Sequence, residues 1–304
     1  MRILSTTLAL TAAVALTAGA VQAAPAAKLD LQHVSPYVDM VTVMPGERFP
    51  LRADFPVKWQ ASGGAVAHSS NGMAIWKAPL KPGVHRLTGT GTANGKTYTR
   101  TLQMVVAVPA SNVRSGKLNG YPIGTYPAGH QSGSTMLANR GVRSNAAPGG
   151  FIELTMANLQ TPISRHYKLG DFAGKDSWAG GKKYLFIDPQ LVEKLERATD
   201  MINAKGFKAG KLELMSAYRS PWLNYAIGNR TSLSRHTYGD AADVLTQDFN
   251  RDGRLDLADA LILKETFDAL DKVGHLTGGL SLYNPNSAHG YFVHTDARGV
   301  AARW

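Results

Sequence analysis

The stretch Ser234-Arg235-His236-Thr237-Tyr238-Gly239-Asp240-Ala241-Ala242-Asp243 decides the reading of this chain. It places an imidazole and a carboxylate seven residues apart. A glycine between them lets the chain turn tightly, and Ala241 is small enough for close backbone approach. Downstream lies Phe292-Val293-His294-Thr295-Asp296, whose composition is that of a strand. His294 and Asp296, two apart on such a strand, share one face. His236, Asp243 and His294 together supply two ring nitrogens and one carboxylate oxygen. That donor set suits zinc and leaves a coordination position for water.

Upstream is Ser216-Ala217-Tyr218-Arg219-Ser220-Pro221. The three motifs, in this order, resemble the M15 family of zinc D-Ala-D-Ala peptidases, within the LAS group of peptidoglycan metallopeptidases. The closing Arg298–Trp304 fits one branch of that family. The resemblance covers about residues 160–304. It implies an α+β LAS-type domain, zinc held by His236, Asp243 and His294, and hydrolysis of a bond involving a D-amino acid. The cleavage is that of an endopeptidase or of a D,D-carboxypeptidase. Arg219 is then the anchor for a substrate carboxylate or carbonyl, and its planar fork suits that role. Ser234 either bonds substrate or caps its loop. Many family members carry His or Glu two or three residues before the third ligand as general base. This chain has Tyr291 and Phe292 there, so His289 and Asp296 are the candidate bases.

A second metal signal runs from Asp248 to Asp259. Asp248, Asn250, Asp252, Asp256 and Asp259 occupy positions 1, 3, 5, 9 and 12 of an EF-hand-type calcium loop. Gly253 is at position 6, and Arg254 at position 7 offers its backbone carbonyl. Position 12 is Asp where Glu is usual, which resembles dockerin-type loops. Hard carboxylate oxygens favour calcium, as the two imidazoles favour zinc. The loop begins five residues after Asp243, so bound calcium is expected to stiffen the chain leaving the zinc site.

The N-terminal half reads differently. Short apolar runs (Met40–Val43, Ala74–Trp76, Leu102–Val106) alternate with Pro45-Gly46, Pro82-Gly83 and Asn94-Gly95. Asn-Gly between Thr-rich flanks signals a hairpin. Residues 24–110 are therefore expected to be an all-β sandwich, and Trp76–Thr88 is similar to the late strands of an immunoglobulin-like domain. Trp59 and Trp76 are expected in its core. Residues 111–150, rich in Gly, Ser, Asn and Pro, read as a linker that partly packs on its neighbours. In the second half, Asp188-Pro189 is a helix start, with apolar residues from Leu191 to Ile202 at helical spacing and Gly206 as the stop. A further helix is expected from Leu257 to Lys272. The fold class is thus multidomain, with the zinc domain over 151–304.

Met1-Arg2, the uncharged run Ile3–Val21 and Val21-Gln22-Ala23 resemble a signal peptide cleaved after Ala23. Cleavage leaves no stable membrane span and a periplasmic or secreted protein. The 304 residues contain no cysteine, which excludes disulfide scaffolds, thiolate zinc sites and cysteine nucleophiles. The net charge is +11, and the excess lies before residue 151. Export makes nucleic acid the wrong partner. Anionic cell-envelope polymer and peptidoglycan stem peptides are the expected ones. The rival class is a non-catalytic, zinc- and calcium-stabilised peptidoglycan-binding envelope protein, favoured by the missing His or Glu before His294.

Overall fold

A computed structural model of the protein describes residues 28–68, 73–127, 146–231 and 233–304. The expected signal peptide and residues 128–145 of the expected linker lie outside the described residues. The described chain is rich in β-sheet, with few helices, in a multidomain arrangement. No helix among the described residues is long and apolar enough to cross a membrane.

Among the described residues, seven strands come first: β1 (Met40–Val43), β2 (Arg48–Leu51), β3 (Val57–Ala61), β4 (Ala65–His68), β5 (Ala74–Lys77), β6 (Gly83–Ala93) and β7 (Lys96–Val106). They form two sheets, ordered β1-β7-β6-β3 and β2-β5-β4. Asn94 and Gly95 both take positive φ, 50° and 73°, and turn β6 directly into β7. That conformation matches the right-handed twist of the flanking strands. Leu51 and Trp76 of one sheet and Val43, Trp59, Leu87 and Leu102 of the other share one hydrophobic core. β1 pairs parallel to β7, so the first and last strands of this unit lie side by side.

The chain continues through β8 (Val108–Pro109), β9 (Lys117–Leu118), β10 (Tyr121–Pro122), β11 (Gly150–Thr155) and β12 (Lys182–Leu185). The first part of the expected linker is fastened down. Leu118, Tyr121 and Ile123 are all buried in the second hydrophobic core. At roughly 1.5–3 kcal/mol for each fully buried apolar side chain, three such anchors hold this segment in place. Its Gly- and Pro-rich composition serves turns, not slack.

The remaining elements are α1 (Pro189–Ala204), β13 (Leu214–Ser216), α2 (Pro221–Ala226), β14 (Ala241–Leu245), α3 (Leu257–Leu270), β15 (Gly279–Tyr283), β16 (Phe292–Asp296) and β17 (Ala302–Arg303). Asp188 caps α1, its side chain accepting from the Gln190 N–H at 2.8 Å. Five strands make one sheet, ordered β13-β14-β16-β15-β17. α1 buries Leu191, Val192, Leu195, Ala198 and Ile202. It also buries Lys194 completely, which apolar periodicity does not anticipate.

Lys194 is paired, as a buried charge must be. Its ammonium donates to Asp271 Oδ1 at 2.7 Å and to the Asp296 carbonyl at 2.7 Å. Asp271 also accepts from Arg303 Nη2 at 2.6 Å and from the Gly278 N–H at 3.1 Å. Burial pushes the Lys194 ammonium below its ordinary value, against the pull of Asp271. This knot joins α1, the end of α3 and the ends of β16 and β17.

Candidate metal centre

The antiparallel pairing of β14 with β16 sets Asp243 opposite His294. Cross-strand partners share a face, so the two side chains meet: His294 Nδ1 lies 2.9 Å from Asp243 Oδ1. His236 arrives from a short 3-10 turn, Arg235–Tyr238, that ends at Gly239. Gly239 has φ +69°, and a Cβ there would lie 2.4 Å from the Phe186 carbonyl oxygen. Both the left-handed conformation and the close approach demand glycine. The turn brings His236 Nε2 to 3.3 Å from the same Asp243 oxygen. The ligating atoms of His236, Asp243 and His294 all lie within 4.8 Å of one another, and all three residues are buried.

Each imidazole is oriented through its other nitrogen. His236 Nδ1–H donates to the Ala217 carbonyl at 2.7 Å, which leaves Nε2 as the lone-pair nitrogen. His294 Nε2 lies 3.4 Å from Asp296 Oδ2. Asp243 is held by its outer oxygen, which accepts from Arg219 Nη2, while Arg219 Nε donates to Ser216 Oγ at 2.8 Å. This is the arrangement by which metal ligands are pre-set. Burial pushes the His236 imidazole below its ordinary value. Burial acts the same way on His294, but its bonds to Asp243 and Asp296 outweigh it and raise that imidazole. Burial alone would raise Asp243, yet His236 and His294 hold it well below the usual carboxylate range. Two imidazole nitrogens and an ionised carboxylate oxygen, buried and convergent, fit a metal ion.

The trio opens onto a cleft of about 410 Å³. Arg219 and Ser234 line it, as the sequence reading expects. Asn229 and Thr231 add polar groups, and Tyr283 and Trp304 add aromatic ones. The C-terminal motif is therefore part of the site wall. The Trp304 ring lies 5.3 Å from the His294 ring, tilted 50° to it, a contact that nothing in the local sequence pattern around either residue signals.

The two candidate bases are placed differently. Asp296 is fully buried behind His294. Its Oδ1 accepts from the Gly279 N–H at 2.8 Å, and Arg298 Nε donates to Oδ1 at 2.9 Å and to Oδ2 at 3.0 Å. His289 is not brought to the trio. Its ring lies between Asn286 Nδ2 and the Gly290 carbonyl, each at 2.8 Å, and edge-on to Phe292. It does not line the cleft. The reason is local: the Asn286 side chain accepts from the Ala288 and His289 N–H groups and folds this loop on itself.

The Asp248–Asp259 loop is wound around its own oxygens. Asp248 accepts from the Asp252 and Gly253 N–H groups at 3.1 and 3.0 Å, and Asp252 accepts from the Arg254 N–H at 2.8 Å. Gly253 has φ +82°, as the sharp turn at position 6 requires. Asp256 caps α3, accepting from the Ala258 N–H at 2.8 Å. Asp259 is fully buried. Its Oδ1 accepts from the Phe249 N–H at 2.8 Å, while its Oδ2 has no hydrogen-bond partner. The loop's carboxylates are not drawn together as closely as the His236 trio.

No protein-family model matches the chain, and no curated protein matches it. Among solved structures, a Bacteroides fragilis protein assigned as an alpha-galactosidase/melibiase is similar at 15% identity with a TM-score of 0.20. The likeness spans 28% of this chain and 19% of that one. A similarity so short and so low carries no argument about fold or activity.

Proposed function

We propose that the chain is an exported zinc peptidase that cuts peptidoglycan at a bond involving a D-amino acid. One observation carries the reading: His236, Asp243 and His294 converge at an open cleft in the order and spacing of the M15 motif. Residues 24–110 are then an immunoglobulin-like sandwich, and residues 151–304 an LAS-type peptidase domain. Zinc, when bound, supplies a Lewis acid and a water whose pKa falls toward ~7.

The chain's own residues divide the remaining work. Arg219 fixes Asp243 and also lines the cleft, where a substrate carboxylate or carbonyl is its partner. Ser234, with Asn229 and Thr231, faces the peptide backbone. Asp296 orients His294, since Gly279 and Arg298 already engage its oxygens. Replacing Asp296 by Asn is expected to lower zinc affinity about 10–100-fold, with the fold retained. Competition against a zinc-binding dye measures this, and an unchanged affinity would remove the orienting role.

The deciding experiment is digestion of purified sacculi by zinc-loaded protein. Fragments should appear, vanish with chelator and return with zinc. Absence of fragments from the zinc-loaded protein would falsify the peptidase reading. A second reading, a binding protein without hydrolysis, is favoured by the site's lack of an uncommitted base among His289 and Asp296. It predicts chelator-sensitive retention on sacculi with nothing released. In either reading the basic excess before residue 151 holds the chain near anionic envelope polymer.

We assign calcium to the Asp248–Asp259 loop. The unpartnered, buried Asp259 Oδ2 supports this, because such an oxygen is costly without a cation or donor. Calcium should raise the melting temperature, with a stabilisation of about 2.7 kcal/mol at 100 times Kd. Asp252→Ala should remove most of that rise. A melting curve indifferent to millimolar calcium would end the assignment.

A further inference from the structure

The cleft lining holds two unlike sets of side chains. Asn229, Thr231 and Ser234, from the segment after α2, present polar groups. Tyr283, at the end of β15, and Trp304, just after the edge strand β17, are aromatic, with 38% and 57% of their surface exposed. Large aromatic rings left this open are usually free to move, but Trp304 is tied at several points. Its Nε1–H donates to the Tyr283 hydroxyl at 2.9 Å, and its carbonyl accepts from Ser281 Oγ at 2.6 Å. Its ring rests 5.3 Å from His294, and the Arg298 guanidinium lies 5.5 Å from the ring centre. Tyr283 is fixed in turn, stacked flat on Phe292 with centroids 4.5 Å apart. The polar atoms of both rings are thus engaged with each other or with the fold. What they offer the cleft is flat carbon surface, immobilised next to a metal ligand.

Such a surface binds aliphatic C–H groups, and its rigidity lowers the ordering cost of binding. We propose that Trp304 and Tyr283 are specificity-determining residues, forming an aromatic wall for the aliphatic face of the substrate residue beside the scissile bond. This rests on the peptidase reading above. The polar groups then read the peptide backbone while the aromatic wall reads what hangs from it. That aliphatic face belongs either to a stem-peptide side chain or to the sugar ring next to the peptide.

The test uses the zinc-loaded full chain and a stem tetrapeptide ending in D-Ala, both free and joined to its disaccharide. Calorimetry reads binding, and metal analysis reads zinc. Trp304→Ala should weaken binding about tenfold with zinc content unchanged. Trp304→Phe, which keeps a ring, should lose about threefold or less. Equal losses with both ligands place the aliphatic face in the peptide, and a loss confined to the linked form places it in the sugar. Unchanged binding in Trp304→Ala overturns the proposal. So does a fall in zinc content, which would make Trp304 a prop for His294. Failure of wild type to bind either ligand overturns it as well. Failure of the peptidase reading shows differently: wild type binds the ligands yet releases nothing from sacculi.

Discussion

Replacing His294 by Ala is expected to abolish hydrolysis of sacculi while leaving the fold intact. The side chain supplies one of three convergent ligating atoms, and its loss leaves His236 and Asp243 alone at the site. If the metal contributes several kcal/mol of charge stabilisation, loss of turnover is about a thousandfold or more. Folding should survive, because the ring contributes to a cleft wall and not to the hydrophobic cores. Protein purified without chelator should hold one zinc per chain, and the variant should hold little. Elemental analysis finding no transition metal in wild type would sink both parts. Full zinc with lost turnover would instead place His294 outside the ligand set.

The largest expected effect on stability lies at Asp271. Replacing it by Ala strands the Lys194 ammonium in the core with only the Asp296 carbonyl to accept from it. Breaking a buried pair in this way costs about 3–5 kcal/mol, and a domain of this size then melts on the order of 10 °C lower. Lys194→Met is the informative companion. It removes the buried charge and leaves Asp271 with Arg303 and the Gly278 N–H. Its cost should be much smaller, since apolar replacement of a buried ion is often nearly neutral. Equal melting temperatures for the two variants would show that the pair is worth no more than its packing. The Asp271→Ala variant should also lose order around Trp304, because Arg303 anchors the segment just before it.

Much of the candidate site is legible in the sequence. The seven-residue spacing from His236 to Asp243, with Gly239 inside it, forecasts a turn feeding a strand, and β14 follows that turn. The strand composition of Phe292–Asp296 forecasts the partner, and pairing register does the rest. What stayed hidden depends on contacts between distant residues. Arg219 reads as a substrate anchor, and nothing in sequence shows that it also clasps Asp243 twenty-four positions away. Nothing in the sequence marks Lys194 as buried, because its partner Asp271 is seventy-seven residues off. Trp304 looks like a terminal residue, but β17 pairs with β15 and carries it to His294. His289 is a candidate base by its nearness in sequence to His294, but the Asn286 turn holds it elsewhere. In the first half, alternation and turn chemistry mark the strands, and residues 111–150 read as a linker that partly packs on its neighbours; Leu118, Tyr121 and Ile123 are the residues that do the packing.

The parallel pairing of β1 with β7 has a consequence for how the protein is made. Val38 just before β1, Met40 at its start, Val105 near the end of β7 and Val108 in β8 all belong to the second core and not the first. The strand pair that closes the first unit therefore also lays a floor for the second. Joining residues near 40 to residues near 105 closes a long loop, the slow kind of contact in folding. An emerging chain can make that contact before the second half has left its conduit, since folding of domains proceeds from the N-terminus. Assembly would then be sequential: a second half released without residues 24–110 would lack part of its own floor, and would be expected to linger as a collapsed, aggregation-prone intermediate.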